Sequence, residues 1–380
     1  MFPRLLALAA AALVSCSLTT ADAEWTSRVR LETAGYSDSD HVAVLTPSIA
    51  GAVENPIKGF RLGGSYLVDA VSAASVDIVS TASKRWSEVR HAGALDLKYK
   101  PHGFGFAGNG YVSIEPDHRS LGVGGSVVLD FGEAHAHTAT LGYSFAEDTD
   151  GRSGTPFNVF SRVVDKHTLS PGVTFTVDAS TVLSFMADVM IERGNTSKPY
   201  RYIPFFASSN DAPVGASVDR VNAVRLPERA LERLPESRNR LALSARILHR
   251  WESTTLRLLQ RLYVDSWGLV STTTDLRLPV DLDRRWRVFP HLRLNIQRGV
   301  SFWQRAYTLG ADGSFPKYYA GDRELGPLRT VVLGGGAQVD LAGFTVSAQV
   351  DGMYTQFLDA LFIQGRSAIL CTLGVERVLE

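Results

Sequence analysis

Residues 261–278, RLYVDSWGLVSTTTDLRL, decide the fold class because the polarity of their side chains alternates with a period of two. One face carries Leu262, Val264, Val270, Thr272, Thr274, Leu276 and Leu278. The other face carries Arg261, Tyr263, Asp265, Ser271, Thr273, Asp275 and Arg277. This period predicts a strand that meets an apolar environment on one side and a polar one on the other.

The same alternation recurs along the chain. In STVLSFMADVMIERG, for example, Leu183, Phe185 and Val189 lie opposite Asp188 and Glu192. About sixteen such segments are predicted, most of them longer than strands of soluble proteins usually are. They lie near 25–37, 41–53, 58–70, 87–99, 103–115, 118–131, 135–147, 166–178, 180–193, 237–251, 253–265, 267–280, 285–306, 328–341, 343–357 and 364–378.

The connections alternate in length between the predicted strands. Short turns alternate with links that include the long loops 71–86, 148–165, 194–236 and 307–327. This pattern predicts an all-β fold, a transmembrane antiparallel β-barrel of about 16 strands with short periplasmic turns and longer extracellular loops. A closed barrel satisfies every backbone polar group in lipid. The alternative, a soluble sandwich that is also apolar on one face, is disfavoured by the strand lengths and the loop alternation.

The N-terminus has the features of an export signal. Arg4 precedes an apolar run of residues 5–14, and Ala21-Asp22-Ala23 fits a cleavage site. The run is too short for a membrane-spanning helix. We therefore expect residues 1–23 to be a secretory signal peptide and residues 24–380 to be a single barrel domain. The alternative is lipidation of Cys16 within Leu13-Val14-Ser15-Cys16.

Several longer motifs resemble domain-of-unknown-function family 3570, predicted outer-membrane barrels of Gram-negative bacteria. They are YSFAEDTDGRSGTPFNVFSRVVDKHTLSPG, ERGNTSKPYRYIPFFA, LERLPESRNRLALSARILHRW, RLYVDSWGLVSTTTDLRL, GDRELGPLRT and YLVDAVSAASVDIVSTAS. The resemblance covers nearly all of the mature chain and implies the location and architecture. It implies no activity and no catalytic residues. Outer-membrane barrels usually end with an aromatic residue that guides insertion. This sequence differs, because it ends with Val378-Leu379-Glu380.

No catalytic constellation is recognisable, since G-x-S-x-G, H-E-x-x-H and C-x-x-C motifs are absent from the sequence. We therefore expect no enzyme, no cofactor and no metal. Three weaker candidates for a metal site exist. His135 and His137 could share a strand face and ligate a metal together. The acidic run 37–41, and Asp69 with Asp77, could each bind calcium. Solvated turns and compact loops explain all three more simply.

One charge pattern points to function. The predicted lumen faces between 237 and 298 carry Arg238, Arg240, Arg246, Arg257, Arg261, Arg277 and Arg293, with His291 nearby. Other lumen faces carry Asp96, Asp130, Asp178, Asp188, Glu192, Asp340 and Asp351. The arginines either pair with acids and brace the barrel, or they line one wall and set the selectivity of a pore.

The sequence thus favours an outer-membrane channel or transporter that is passive and serves small polar or anionic solutes. Arg240, Arg246, Arg257 and Arg261 are its expected determinants. A surface-binding scaffold, or less favourably a hydrolase, is the alternative. Expected partners are outer-membrane lipid, lipopolysaccharide, the barrel-insertion machinery and small solutes, without nucleic acid. We expect the aromatic loop 194–236 to pack on the barrel mouth or narrow the lumen.

Overall fold

The computed structural model describes residues 25–73 and 86–379, and β-strands dominate both ranges. The strands are β1 (Thr26–Asp38), β2 (Ala43–Asn55), β3 (Phe60–Ala73), β4 (Trp86–Tyr99), β5 (Phe104–Ile114), β6 (His118–Phe131), β7 (His137–Asp150), β8 (Arg162–Thr176), β9 (Thr181–Gly194), β10 (Tyr202–Phe206), β11 (Arg225–Leu231), β12 (Ser237–Arg250), β13 (Thr255–Asp265), β14 (Val270–Arg277), β15 (Val280–Asp281), β16 (Trp286–Arg298), β17 (Tyr307–Thr308), β18 (Leu328–Leu341), β19 (Phe344–Phe357) and β20 (Gly365–Leu379). One α-helix, α1 (Val218–Val224), and three single-turn 3₁₀ helices, Glu133–His135, Ser209–Asp211 and Arg323–Leu325, complete the elements of these ranges. None of the helices in the described ranges is long and apolar enough to cross a bilayer.

Most of the strands form one closed antiparallel barrel. Going round it, β1 to β9 are followed by β12, β13, β14 with β15, β16, β18, β19 and β20, and β20 pairs back with β1. β14 and β15 are two parts of one strand position, because both pair with β16 and the break between them falls at Leu278 and Pro279. Proline cannot donate to the ladder. The barrel therefore has sixteen strand positions, which confirms the predicted fold class.

The two rims of the barrel differ in their connections. One rim has the turns 56–59, 100–103, 132–136, 177–180, 251–254, 282–285 and 342–343, and we call it the short-turn rim. The other, the long-loop rim, has 39–42, 115–117, 151–161, 195–236, 266–269, 299–327 and 358–364. The start of β1 and the end of β20 both lie at the short-turn rim.

The register confirms the alternation of the opening stretch. Arg261 lies opposite Ser244 on one face, while Leu262 lies opposite Leu243 on the other. The apolar set faces outward and includes side chains that nothing covers, such as Leu95 and Leu333, each 68% exposed. The polar set faces the lumen. An outer surface this apolar suits lipid rather than water.

Two local predictions are wrong. The strand predicted over 285–306 ends at Arg298, because Val300 turns into an apolar cluster with Trp267 and Leu325. Asp178, predicted for the lumen, lies in the exposed turn before β9. The predictions for residues 1–23, including Cys16, for Asp77 and for most of loop 71–86 lie outside the described residues.

Two long loops, 195–236 and 299–327, fold together over the long-loop rim, and we call them the cap. β10 pairs antiparallel with β11 and parallel with β17, so that a small sheet joins the two loops. Phe205 and Tyr307, from different loops, are both almost fully buried in it. The cap also packs on the barrel, since Leu234 shares a cluster with Trp267 from the turn between β13 and β14. The prediction that loop 194–236 packs on the barrel mouth is confirmed.

Candidate functional site: the arginine wall of the lumen

The strands β12 to β16 form a strongly basic part of the lumen, which we call the arginine wall. The register aligns their polar faces, since Arg261 lies opposite both Ser244 and Thr273, and Arg257 lies opposite Arg277. The lumen-facing arginines are Arg238, Arg240, Arg246, Arg250, Arg257, Arg261, Arg277, Arg287 and Arg293. The lumen-facing carboxylates of these strands are Asp265, Asp275 and Asp281. The wall therefore has a large excess of positive charge.

Near the long-loop rim the arginines are tightly paired. Arg238 donates through Nε to Asp265 at 2.8 Å, and its guanidinium lies 4.2 Å from the ring centre of Trp267. Arg240 donates to Glu192 at 2.7 Å. Asp265 and Glu192 have side chains that are almost fully buried. These two arginines therefore brace the wall, in agreement with the interpretation that lumen arginines pair with acids and stabilise the barrel.

Between the rims the arginines are weakly paired or unpaired. The closest approach of Arg261 to Asp188 is 3.6 Å, that of Arg277 to Asp275 is 3.7 Å, and that of Arg293 to Asp275 is 4.0 Å. No described carboxylate lies within ion-pair distance of Arg246 or Arg257. The side chains of Arg261, Arg277 and Arg293 are 40–54% exposed. Water therefore reaches these lumen arginines, and their charge is available to a solute.

A buried histidine joins the arginine wall to the next strands. His291 is 5% exposed, and its Nδ1 lies 2.9 Å from Asp351 while its Nε2 lies 3.2 Å from Asp275. Gly334 lies between His291 and Asp351 in the register, and a Cβ there would overlap the Asp351 carboxylate. The sequence pointed to His291 only as a neighbour of the arginines. Its two acids lie 16 and 60 residues away in the chain, and no local pattern connects them.

The predicted lumen acids do not form a wall opposite the arginines. Asp188, Glu192 and Asp351 contact residues of the arginine wall or its histidine. Asp340 lies at the short-turn rim, where it accepts a hydrogen bond of 2.6 Å from Thr345. Asp188, Glu192, Asp340 and Asp351 therefore lie on or next to the arginine wall and not across the lumen from it.

The other side of the lumen is close to neutral. In the described parts of β1 to β8, seven arginines and lysines and nine carboxylates face inward. Most are paired within that wall, as Arg61 is with Asp96 at 2.6 Å and Lys100 with Asp130 at 2.5 Å. The lumen thus has a transverse field, which arises mainly from the excess of arginine on one side.

A buried carboxylate holds the cap together. Glu232 has a side chain without exposed surface, and it accepts hydrogen bonds of 3.1 Å from Arg201, from the Lys198 backbone N–H and from the Gly321 backbone N–H. Burial opposes the charge of Arg201, but Glu232 and Asp322 raise its pKa on balance. Gly321 belongs to the second cap loop, so this one side chain bridges both loops.

The cap also contacts lumen-facing groups at the long-loop rim. Lys198 donates to Asp150 of β7 at 3.1 Å, and Arg162 of β8 donates to the carbonyl of Ser197. On the far side, Gln297 of β16 donates to the carbonyl of Gly326 at 2.9 Å. The cap therefore spans the mouth between β7 and β16.

The sequence candidates for metal binding are engaged otherwise. His137 faces outward between Phe131 and Phe175, with ring centres 5.4 and 5.3 Å away, so it does not converge with His135. Asp40 of the acidic run pairs with Arg323 of the cap at 2.8 Å. Asp69 accepts from Arg90 at 2.6 Å. Among the described residues, Glu88, Glu115 and Asp117 form one close carboxylate group, with oxygens within 4.8 Å of one another.

Comparison with known proteins gives a family. The family model described as protein of unknown function (DUF3570) matches residues 47–368. The chain belongs to this family. The match to DUF3570 runs from β2 into β20 and includes the arginine wall and the cap. It confirms the resemblance recognised in the sequence motifs. A search of the curated proteins finds no match to the chain.

Solved structures of outer-membrane proteins resemble this DUF3570 chain in fold alone. The siderophore receptor PirA from Pseudomonas aeruginosa is 11% identical over 94% of this chain, with a TM-score of 0.46. The chain spans 62% of the length of that receptor. A bacterial polysaccharide outer membrane secretin (9% identity, TM-score 0.47) matches over 94% of this chain and 100% of its own. The TodX monoaromatic hydrocarbon channel (9% identity, TM-score 0.43) matches over 97% and 94%.

Proposed function

We propose that the protein is an integral outer-membrane channel, without enzymatic activity, that admits small polar solutes and prefers anions. The observation that carries this proposal is the arginine wall, where several guanidiniums are reached by water and lack a close carboxylate. Walls of like charge set ion selectivity in pores. An arginine stays charged at any working pH, so this preference would persist across the physiological range.

The outward aromatic side chains support the membrane placement. Near the short-turn rim, Phe104 and Trp251 are about half exposed, at 49% and 52%. Towards the long-loop rim, Tyr354 of β19 is 48% exposed. Aromatic belts at both interfaces are typical of outer-membrane barrels, in which short turns face the periplasm. We therefore place the short-turn rim in the periplasm, the cap outside the cell, and lipid with lipopolysaccharide around the barrel.

The pairing of each arginine indicates which ones set selectivity. Arg240 was an expected determinant, but its charge is compensated by Glu192 at 2.7 Å. Arg246 and Arg257 have no such partner in the described chain, and Arg261 has only the approach of 3.6 Å to Asp188. We therefore assign the anion preference to Arg246, Arg257 and Arg261.

The test is the reversal potential of purified protein in planar bilayers under a salt gradient. We expect anion selectivity, and we expect the triple change of Arg246, Arg257 and Arg261 to Ser to reduce or invert it. A matched control is Arg329→Ser, which removes one charge from an outward-facing position of β18. Cation selectivity of the parent, or no shift in the triple variant, would overturn the proposal.

A non-conducting surface scaffold is the second candidate, and the cap is the observation that favours it. The cap has its own buried clusters around Phe206 and Phe205, and it spans much of the mouth. If the cap closes the barrel, the parent protein passes no current. Deletion of residues 203–230 then distinguishes the two, because a capped channel gains conductance and a scaffold with a blocked lumen stays silent.

A further inference from the structure

The lumen contains a basic cavity close to the short-turn rim. Its volume is about 250 Å³, and strands from β13 round to β1 contribute to it. Four arginines, Arg30, Arg257, Arg277 and Arg287, line it together with polar side chains such as Gln338 and Thr372. Among the described residues, no carboxylate lines the cavity. This composition favours a ligand that brings its own negative charge.

Arg257 and Arg277 are an unfavourable pair when the cavity is empty. They lie directly opposite each other on neighbouring strands, with both side chains on the lumen face. Like charges in this position destabilise a sheet. Arg277 shares Asp275 with Arg293 and His291, and Arg257 has no ion-pair partner in the described chain. An anion between the two guanidiniums would turn repulsion into two attractions.

The other two arginines are held in place by acids outside the cavity. Arg287 donates from Nε to Asp281 at 2.5 Å, and Arg30 donates to Glu32. A guanidinium has five N–H donors in a fixed planar arrangement, so a single carboxylate leaves others free. Both side chains can therefore bind an anion while they remain anchored.

The neutral lining gives the cavity shape and further donors. Gln338 and Thr372 can donate from the β18 and β20 sides. Phe289 lies against Gly336, where a Cβ would overlap its ring. The phenyl ring thus supplies one apolar surface, and the absence of a side chain at Gly336 gives the ring its room.

We propose that this cavity is a saturable binding site for a small oxyanion with two or more negative charges, a phosphate or a dicarboxylate. The inference rests on the proposed channel function, because it places the solute at a defined point of the lumen. Arginine is suited to such ligands, since its fork of donors matches the oxygen spacing of carboxylate and phosphate.

The test is calorimetric titration of the full-length protein in detergent with inorganic phosphate, with succinate, and with uncharged glycerol. We expect saturable binding of one or both anions and none of glycerol. The double variant Arg257→Gln, Arg277→Gln should weaken anion binding at least about tenfold, the effect of losing charge-assisted hydrogen bonds. Arg329→Gln is the matched control, because Arg329 faces outward from β18 and does not line the cavity; it should change affinity little.

A second variant guards against misfolding. Arg257→Lys keeps the positive charge but loses the planar set of guanidinium donors. We therefore expect its affinity for the anion to lie between those of the parent and the double variant, in a protein that migrates on a detergent gel as the parent does. The inference is overturned if neither anion saturates, or if the double variant and the Arg329 control bind alike. Failure of the channel proposal looks different: anions then bind as expected while the bilayer shows no anion-selective current.

Discussion

Glu232→Gln should loosen the cap while it leaves the barrel intact. The carboxylate accepts three hydrogen bonds of 3.1 Å in a site with no exposed side-chain surface. In the variant, the amide oxygen can keep only the bonds of one carboxylate oxygen, and the NH₂ group meets a backbone or guanidinium donor. One charge-assisted bond is weakened and one buried donor is left unpaired, at about 1–3 kcal/mol each.

The net loss of cap stability should be about 2–4 kcal/mol, since removing one partner of a buried pair costs about 3–5 kcal/mol and Asp322 stays 3.6 Å from Arg201. A loss of 2 kcal/mol corresponds to a roughly 30-fold larger fraction of opened cap. Cleavage by trypsin within 195–236 should therefore accelerate by at least that order, because protease acts on the opened form.

The matched control is Glu228→Gln, which makes the same chemical change at an exposed position of β11. Its cleavage rate should equal that of the parent. In bilayers, the Glu232 variant should also show longer or larger openings if the cap restricts the mouth. Equal protease sensitivity of the two variants would refute the role assigned to Glu232.

The remaining predictions concern the barrel. Phe185→Arg should cost about 2–4 kcal/mol of unfolding free energy in lipid vesicles if it lies near the midplane, whereas Ser184→Arg on the lumen face should be nearly silent; equal costs would mean that the register is wrong. His291→Leu should lower the thermal stability clearly, because Asp275 and Asp351 lose a shared buried partner, and an unchanged melting temperature would contradict this. The protein should fractionate with outer membranes and change its gel migration on boiling, and recovery from the periplasm would exclude the placement.

The sequence predicts the barrel well because the decisive signal is local. A period of two needs only neighbouring residues, so the lumen side of Asp188 or Arg261 follows from a few positions in one strand. The positions at which strands end depend on contacts with residues that are distant in the chain. The alternation predicted past Arg298 continues through Val300, but that side chain is buried in a cluster that includes Leu234 from the other cap loop. Periodicity does not distinguish lipid from the core of a cap.

The small sheet of the cap and the contacts of His291 with its two acids were not predictable from the periodicity of the sequence. β10 has five residues and β17 has two, and they pair in parallel across about a hundred residues of chain. The aromatic run in 202–206 correctly indicated that this segment packs, but it does not identify the strands with which the segment pairs. The pairing of the arginines near the long-loop rim is similarly non-local, since the acid that binds Arg240 lies 48 residues away in the chain.

The distribution of ion pairs along the arginine wall predicts how selectivity depends on salt. The arginines near the rims are compensated within 2.8 Å, as Arg240 is by Glu192 and Arg287 by Asp281. The weakly paired arginines lie between them and are exposed to the water of the lumen. Their field is therefore screened over a Debye length of about 10 Å at 0.1 M salt and about 3 Å at 1 M.

Anion preference should accordingly fall as the mean salt concentration rises at a constant gradient ratio. The measurement is the reversal potential at the same ratio in dilute and in concentrated potassium chloride. Arg329→Ser, on the outward face, should follow the parent at both concentrations. The triple variant at Arg246, Arg257 and Arg261 should depend less on salt than the parent does, because three of the five weakly paired or unpaired lumen arginines have been removed. A preference that stays constant in the parent would mean that the width of the lumen, and not the arginine wall, selects the ion.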